Sequence, residues 1–172
     1  MANQPNSEFK ARLVIQQCLS AKLQVQPASS DNEAVFVEIN SGIILFVCFL
    51  RGADRDTVQK MVKSALNIRL SKLASSKRVS VLNLPGDVLV VPQSTLGGKA
   101  NGKMVQYHSN IDKESGAELF RMFVELCACG LASNDRTLEA GCKVLSGNYG
   151  SRHEVLSMNT YVYGPLTHII DF

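Results

Sequence analysis

The sequence predicts a single α/β domain in which mixed β-sheets are covered on one side by helices. Several short segments alternate apolar and polar residues with the period of a strand, whereas two longer segments place apolar residues at helical spacing. The run Gly42–Leu50 is apolar on both faces, which indicates a central strand covered from both sides. A chain of 172 residues can bury such a core without disulfides or a structural metal.

The predicted sheets are built from strand-like segments distributed along the whole chain. These segments are Ala11–Gln26, Val35–Ile39, Gly42–Leu50, Arg78–Leu82, Val88–Val91, Cys142–Leu145, Glu154–Met158 and Thr167–Asp171. No internal repeat and no long linker divides the chain, so residues 11–172 are expected to form one domain. The polar residues 1–10 before it are expected to be a flexible N-terminus.

Two amphipathic helices are predicted between these strands. The first is expected to begin near Asp54, which can cap it, and carries a buried stripe that ends at Leu66. The second is expected to begin near Asp112 and to end at Gly130, because glycine commonly follows the last helical residue.

Composition excludes several classes of protein. The longest apolar run has nine residues, whereas a membrane-spanning helix needs about 20. The N-terminus has no apolar segment of a secretory signal, and the five cysteines show no zinc spacing, so we expect reduced, structural thiols in a cytoplasmic protein. A net charge of +3 permits RNA as a partner but is low for a dedicated duplex binder. Neither a membrane nor DNA is expected as a partner.

The glycine-rich segment Gly97–Lys103 matches the spacing of a phosphate-binding loop. Such a loop needs Ser or Thr after its lysine and a helix that begins there, but Met104 follows and no helical pattern begins. We therefore reject nucleotide hydrolysis. Two alternatives stay open, namely a flexible glycine loop and a mobile basic loop whose Lys99 and Lys103 contact a nucleic-acid backbone.

No standard side-chain catalytic machinery is visible. The three histidines have no carboxylate or cysteine at triad or ligand spacing, and no nucleophile-elbow sequence is present. Two segments are nevertheless unusual. Val91–Leu96 joins an apolar strand to a polar turn with hydroxyls, and Tyr163–His168 contains a Gly-Pro pair that imposes special backbone geometry. Both segments can also be interpreted as ordinary turns.

These two segments resemble the paired motifs of the D-aminoacyl-tRNA deacylase family. That family carries sequences of the Ser-Gln-Phe-Thr-Leu and Asn-Gly-Pro-Val-Thr type, which correspond here to Pro92–Leu96 and Tyr163–Thr167. Supporting similarity extends over Leu13–Gln17, the run Gly42–Leu50 and Leu66–Leu70. The resemblance implies a homodimer, with mixed sheets in a barrel-like sandwich, that clears mischarged tRNA. We expect no metal and no cofactor.

Where the sequence departs from the family pattern, it is similar to the animal-type branch of the family. Pro92 replaces the family's serine, and Gln17 stands where the first strand usually carries arginine. This branch implies a relaxed specificity, with removal of D-amino acids and of L-alanine from threonine tRNA. Tyr163 replaces the usual asparagine, which puts a hydrogen-bonding role of that position in doubt.

The resemblance also implies roles for individual residues. Backbone amides at Ser94 and Thr95 would stabilise the oxyanion, the Thr95 hydroxyl would support them, and the 2′-hydroxyl of the terminal adenosine would help to activate water. The chiral gate and substrate contacts would come from the family's two motifs, here Gln93, Gly164, Pro165 and Thr167. Arg152 is expected to replace the lost tether of the Gly-Pro loop.

Two alternative functions remain open at this stage. One is a strict D-aminoacyl-tRNA deacylase that rejects every L-amino acid. The other is a non-catalytic, tRNA-binding dimer that kept the fold, which would explain the absence of catalytic side chains.

Overall fold

The computed structural model describes residues 9–160 and 166–172, which contain twelve strands, three α-helices and one 3₁₀ helix. The strands are β1 (Ala11–Cys18), β2 (Ser20–Gln26), β3 (Val35–Ile39), β4 (Gly42–Phe49), β5 (Ser71–Lys72), β6 (Arg78–Val79), β7 (Asp87–Pro92), β8 (Lys99–Asn101), β9 (Met104–Gln106), β10 (Val144–Ser146), β11 (Glu154–Asn159) and β12 (Thr167–Asp171). The helices are α1 (Arg55–Asn67), α2 (Lys113–Ala132), α3 (Asp135–Glu139) and the 3₁₀ helix Ser94–Gly97.

A five-stranded mixed sheet in the order β10-β7-β4-β1-β12 forms the centre of the domain. Strand β4 runs parallel to β7 and antiparallel to β1. One face of β4 packs with α1 and α2, and Ile44 on its other face packs with the three-stranded sheet β11-β2-β3. The prediction of a central strand covered on both faces is therefore confirmed, as is the mixed α/β class. Among the described strands the two sheets are separate and do not close into a barrel.

The predicted single extended segment Ala11–Gln26 is two strands in different sheets. Strand β1 belongs to the five-stranded sheet and β2 to the three-stranded one, and Leu19 lies between them with its side chain exposed. The Leu19 amide donates to the carbonyl oxygen of Asn159 at 2.7 Å. The chain therefore crosses between sheets at Leu19, while the alternation of the sequence continues without a visible break.

The helices follow their predicted patterns except at one end. Asp54 caps α1 in a capping box with Thr57. Gly130 does not end α2, which continues to Ala132. A Cβ atom on Gly130 would lie 2.4 Å from Leu66 Cδ1, so glycine is present because α1 and α2 pack closely there.

Two further boundaries differ from the prediction. The expected strand Arg78–Leu82 is short, because β6 ends at Val79 and turns follow it. Residues 1–8 of the expected flexible N-terminus lie outside the described residues, whereas Lys10 is held by an ion pair with Asp54 at 3.1 Å. No helix in residues 9–160 and 166–172 is long and apolar enough to cross a membrane.

Candidate active site at the end of the central sheet

The predicted catalytic segment begins where β7 leaves the sheet. The buried run Val88–Val91 fixes β7 between β4 and β10, and the amide of Gln93 still donates to the carbonyl oxygen of Val47 at 2.9 Å. The chain then forms the 3₁₀ helix Ser94–Gly97. The segment expected to be a polar turn is therefore a short, defined helix on a rigid strand.

The backbone amides of Ser94 and Thr95 are available to a ligand. The first N–H groups of a helix have no acceptor within it, and Gln93 provides no side-chain cap. Both residues are exposed, and among the described residues neither their amides nor their hydroxyls have a hydrogen-bond partner. Two neighbouring N–H donors can stabilise the oxyanion of an acyl-transfer reaction.

The carbonyl groups of the same segment are held by the protein. Ser94 O accepts from Asn110 Nδ2 at 2.8 Å and from the thiol of Cys48 at 3.7 Å. Burial raises the pKa of Cys48 to about 11, so the thiol stays protonated and acts as a donor rather than as a nucleophile.

An arginine–aspartate pair supports the end of the 3₁₀ helix. Arg12 Nη1 donates to Leu96 O at 3.3 Å. The same guanidinium binds both carboxylate oxygens of Asp171, at 2.6 Å and 3.0 Å, and this hydrogen bonding raises the pKa of Arg12. Because β1 and β12 place this pair beside the segment, its position is fixed by the sheet register.

Glycines at the end of the 3₁₀ helix permit close packing, of Gly97 against Asn110 and of Gly98 against the hairpin that follows. A Cβ atom on Gly97 would lie 1.9 Å from Asn110 Oδ1, and one on Gly98 would lie 2.6 Å from Val105 Cγ1. Strands β8 and β9 pair in this hairpin, so the expected loop is ordered and no helix follows Lys103. The prediction that no helix begins after Lys103 is confirmed, since β9 (Met104–Gln106) follows it. Lys99 and Lys103 are both exposed on the hairpin.

The loop after β10 and α2 enclose a cleft that the sequence did not reveal. Gly147 N donates to Val90 O at 2.9 Å, so this loop leaves the sheet at the same end as β7. Tyr149 follows, with its ring tilted by 40° against Phe120 at a centroid distance of 5.6 Å, in a cleft of about 310 Å³ between the loop and α2. Burial raises the pKa of Tyr149.

Within the described chain, two further residues of this loop, His153 and Arg152, differ in that the first is hydrogen-bonded and the second is not. His153 Nε2 accepts from the amide of Asn148 at 2.7 Å, and burial lowers its pKa, so the imidazole is a neutral acceptor. Arg152 is exposed, with no hydrogen bond or ion pair among the described residues. In the same described ranges, no group of three His, Cys, Asp or Glu side chains is arranged to hold a metal.

Thr167 lies at the opposite end of the sheet from the catalytic segment. It pairs with Gln16, whereas Val47, which binds Gln93, pairs with Leu13. Three residues of strand and three strand spacings separate the two motifs, which is about 10 Å along the strands and about 14 Å across them. Within one chain, the structure therefore does not bring Thr167 together with the catalytic segment.

The neighbours of Thr167 include a buried polar pair. The Thr167 hydroxyl donates to the Gln16 side chain, and Gln17 N donates to Leu166 O at 3.2 Å. Gln17 is 3% exposed, and its Nε2 donates to Ser71 Oγ at 3.3 Å. The proposed gate residues Gly164 and Pro165 lie outside the described residues.

Comparison with known proteins agrees with this geometry. The family model described as D-Tyr-tRNA(Tyr) deacylase matches residues 14–171. The chain is 49% identical over 162 residues to D-aminoacyl-tRNA deacylase 2 of Gallus gallus, covering 94% of this chain and 95% of the relative. It is 47% identical over 163 residues to D-aminoacyl-tRNA deacylase 2 of Homo sapiens, covering 95% of each.

A solved structure shows the same fold. The structure of a probable eukaryotic D-amino acid tRNA deacylase superposes with a TM-score of 0.77 at 22% identity, covering 94% of this chain and 99% of that chain. The resemblance noted in the sequence is thereby confirmed. The chain belongs to the D-Tyr-tRNA(Tyr) deacylase family.

Proposed function

We propose that this chain is an editing hydrolase that cleaves the ester between a mischarged amino acid and the 3′ end of its tRNA. Its substrates are D-aminoacyl-tRNA and L-alanyl-tRNA(Thr). The observation that carries the proposal is the pair of unpartnered amides at Ser94 and Thr95, held on a rigid strand in the segment that resembles the family motif. Relatives named D-aminoacyl-tRNA deacylase 2 support the same reaction class.

The reaction needs positioning more than side-chain chemistry. Water adds to the ester carbonyl, and the two amides stabilise the resulting oxyanion, with the Thr95 hydroxyl as a supporting contact. The bond to the ribose oxygen then breaks, the amino acid leaves with a carboxyl group, and the ribose oxygen takes up the proton. The ribose 2′-hydroxyl assists the attack of water. An aminoacyl ester is already activated, so orientation of the reactants supplies much of the acceleration.

Selectivity is assigned to the second motif. Gly164 and Pro165 form the chiral gate, and Gln93 and Thr167 bind the substrate near it. A gate whose carbonyl groups turn away from the pocket would admit the small side chain of L-alanine. The exposed Lys99 and Lys103 are proposed to contact the tRNA backbone from their hairpin.

A complete site of this kind requires two copies of the chain. Thr167 of the second motif lies at the opposite end of the central sheet from the catalytic segment, so we pair the catalytic segment of one copy with the second motif of another. The face that carries the three-stranded sheet is only partly covered toward β12, and this partly exposed region supports such a homodimer. Phe46, Val14 and Ile169 form one row across β4, β1 and β12, and Ile169 at the sheet edge is 66% exposed.

Hydrolysis of a D-aminoacyl-tRNA under single-turnover conditions tests the reaction class. We expect release of the D-amino acid well above the spontaneous rate, and no acceleration for the same tRNA that carries its cognate L-amino acid. Binding of both tRNAs without acceleration of either would contradict the proposal and favour the non-catalytic tRNA-binding dimer.

Arg152→Ala tests the proposed tether of the gate. Loss of a charge-assisted hydrogen bond weakens an interaction by about tenfold in equilibrium terms, so we expect the ratio of L-alanyl to D-aminoacyl cleavage to change by about that factor. Arg152→Lys keeps the charge but not the guanidinium fork and is expected to restore the ratio only in part. Unchanged cleavage of both substrates by Arg152→Ala would show that Arg152 is not the tether.

A further inference from the structure

A strongly basic pocket lies away from the catalytic segment. It encloses about 270 Å³, and four of its lining side chains are cations, namely Arg69, Lys77, Arg78 and Arg136. No carboxylate lines it, and none of the four cations takes part in an ion pair in the described part of the chain. All four are exposed, so the pocket is open to a large ligand.

The fold gathers these cations from distant parts of the sequence. Arg69 follows α1, whereas Lys77 and Arg78 belong to the turn and second strand of the β5–β6 hairpin. Arg136 on α3 is fixed in place, because its Nη1 donates to Asn83 O at 3.2 Å.

Asn83, which holds Arg136, is itself fixed. Its side-chain Oδ1 accepts from Ser80 Oγ at 2.9 Å, and its backbone N–H donates to the carbonyl oxygen of Ser80 at 3.1 Å. The fold thus keeps four positive charges close together, and their mutual repulsion is unfavourable without an anionic partner. Such a pocket is complementary to phosphate oxygens, which accept several charge-assisted hydrogen bonds at once.

The basic pocket also lies at the end of the sheet that carries Leu166 and Thr167. Ser71 on β5 pairs with Val79 beside Arg78, and it accepts from the Gln17 side chain. Gln17 in turn donates through its amide to Leu166 O. In the proposed homodimer this end of one copy meets the catalytic segment of the other, so the pocket would flank the complete site.

We infer that this pocket binds backbone phosphates of the tRNA substrate, close to the end that carries the amino acid. The inference rests on the proposed function for its substrate and adds a second, separate contact region to Lys99 and Lys103. It predicts binding through charge and backbone shape, without reading the base sequence.

The double variant Arg69→Gln/Arg78→Gln tests this inference, with fluorescence anisotropy of deacylated tRNA as the first readout. The loss of two exposed ion pairs, those of Arg69 and Arg78 with phosphates, should weaken tRNA binding by about tenfold. It should also lower the slope of log affinity against log salt by about 1.4–1.8. Lys60→Gln/Lys63→Gln on the exposed side of α1 removes the same charge and is the control. We expect the control to retain most of the affinity and the slope.

A second readout separates the pocket from the chemistry. A D-aminoacyl-adenosine keeps the ester and both ribose hydroxyls but has no backbone phosphate. We expect the Arg69→Gln/Arg78→Gln variant to raise KM for D-aminoacyl-tRNA by about tenfold and to cleave the D-aminoacyl-adenosine at the unchanged rate.

The outcomes distinguish failure of the inference from failure of the proposed function. Equal weakening of tRNA binding by the control and by the pocket variant would overturn the inference, because general charge would then suffice. Unchanged tRNA affinity of the pocket variant would overturn it as well. A wild-type chain that cleaves neither substrate would refute the proposed function, while the anisotropy measurement would still decide whether the pocket binds RNA.

Discussion

Ser94→Pro is expected to lower kcat for ester hydrolysis by about 10²–10³-fold while the fold is retained. Proline removes the N–H of this position, and loss of one oxyanion donor has an effect of about this size. Ser94 is the first residue of the 3₁₀ helix, where proline is well tolerated, and its amide has no partner in the described structure. Gln93 before it has φ −141° and ψ 88°, outside the α region that a following proline disfavours.

Two alanine variants provide the matched controls. Ser94→Ala removes the hydroxyl and keeps the amide, so its kcat should stay near that of the wild type. Thr95→Ala should cause a small loss, since its hydroxyl is assigned only a supporting contact. Single-turnover rates, together with a thermal melt of each variant, make the comparison. Full activity of a folded Ser94→Pro protein would exclude the Ser94 amide as an oxyanion donor.

Ile169→Lys is expected to produce a folded monomer that has lost at least about 100-fold in deacylation rate. A lysine on the exposed edge strand β12 disfavours pairing with a second copy. In the monomer the catalytic segment and Thr167 stay at opposite ends of the sheet, and misplacement of substrate-positioning groups costs about this factor or more. Sedimentation velocity gives the oligomeric state, and single-turnover kinetics give the rate.

Val35→Lys is the matched control for this effect. Val35 is 46% exposed on β3, which is the edge strand of the other sheet, and the substitution adds the same charge. We expect this protein to remain a dimer and to stay active. A monomeric Ile169→Lys protein with wild-type activity would show that one chain holds a complete site.

The parts of the fold that could be predicted are those whose apolar pattern has one physical explanation. Strand β4 is apolar on both faces because helices cover one face and a second sheet covers the other. The hairpin β8–β9 could not be predicted, because nearly all of its strand residues are exposed and its close approach to the chain before it is at Gly98. Gly130 was misinterpreted as a helix end, because close packing against Leu66 favours the same residue type as a C-cap.

Some parts of the candidate site could likewise be predicted from the sequence, and others could not. The position of Ser94 and Thr95 followed from a local motif, since the strand before them and the turn after them are encoded in adjacent residues. The cleft beside Tyr149 and the basic pocket could not be predicted, because tertiary structure alone brings their members together. For example, Arg69 and Arg136 are far apart in sequence but line one pocket.

The proposed function is the editing of mischarged tRNA through a relaxed chiral gate. It is tested by single-turnover deacylation of L-alanyl-tRNA(Thr), a D-aminoacyl-tRNA and L-threonyl-tRNA(Thr), measured side by side. We expect cleavage of the first two substrates and survival of the third. Cleavage of the D-aminoacyl-tRNA alone would contradict the relaxed gate and indicate a strict D-aminoacyl-tRNA deacylase, and cleavage of none would contradict catalysis itself.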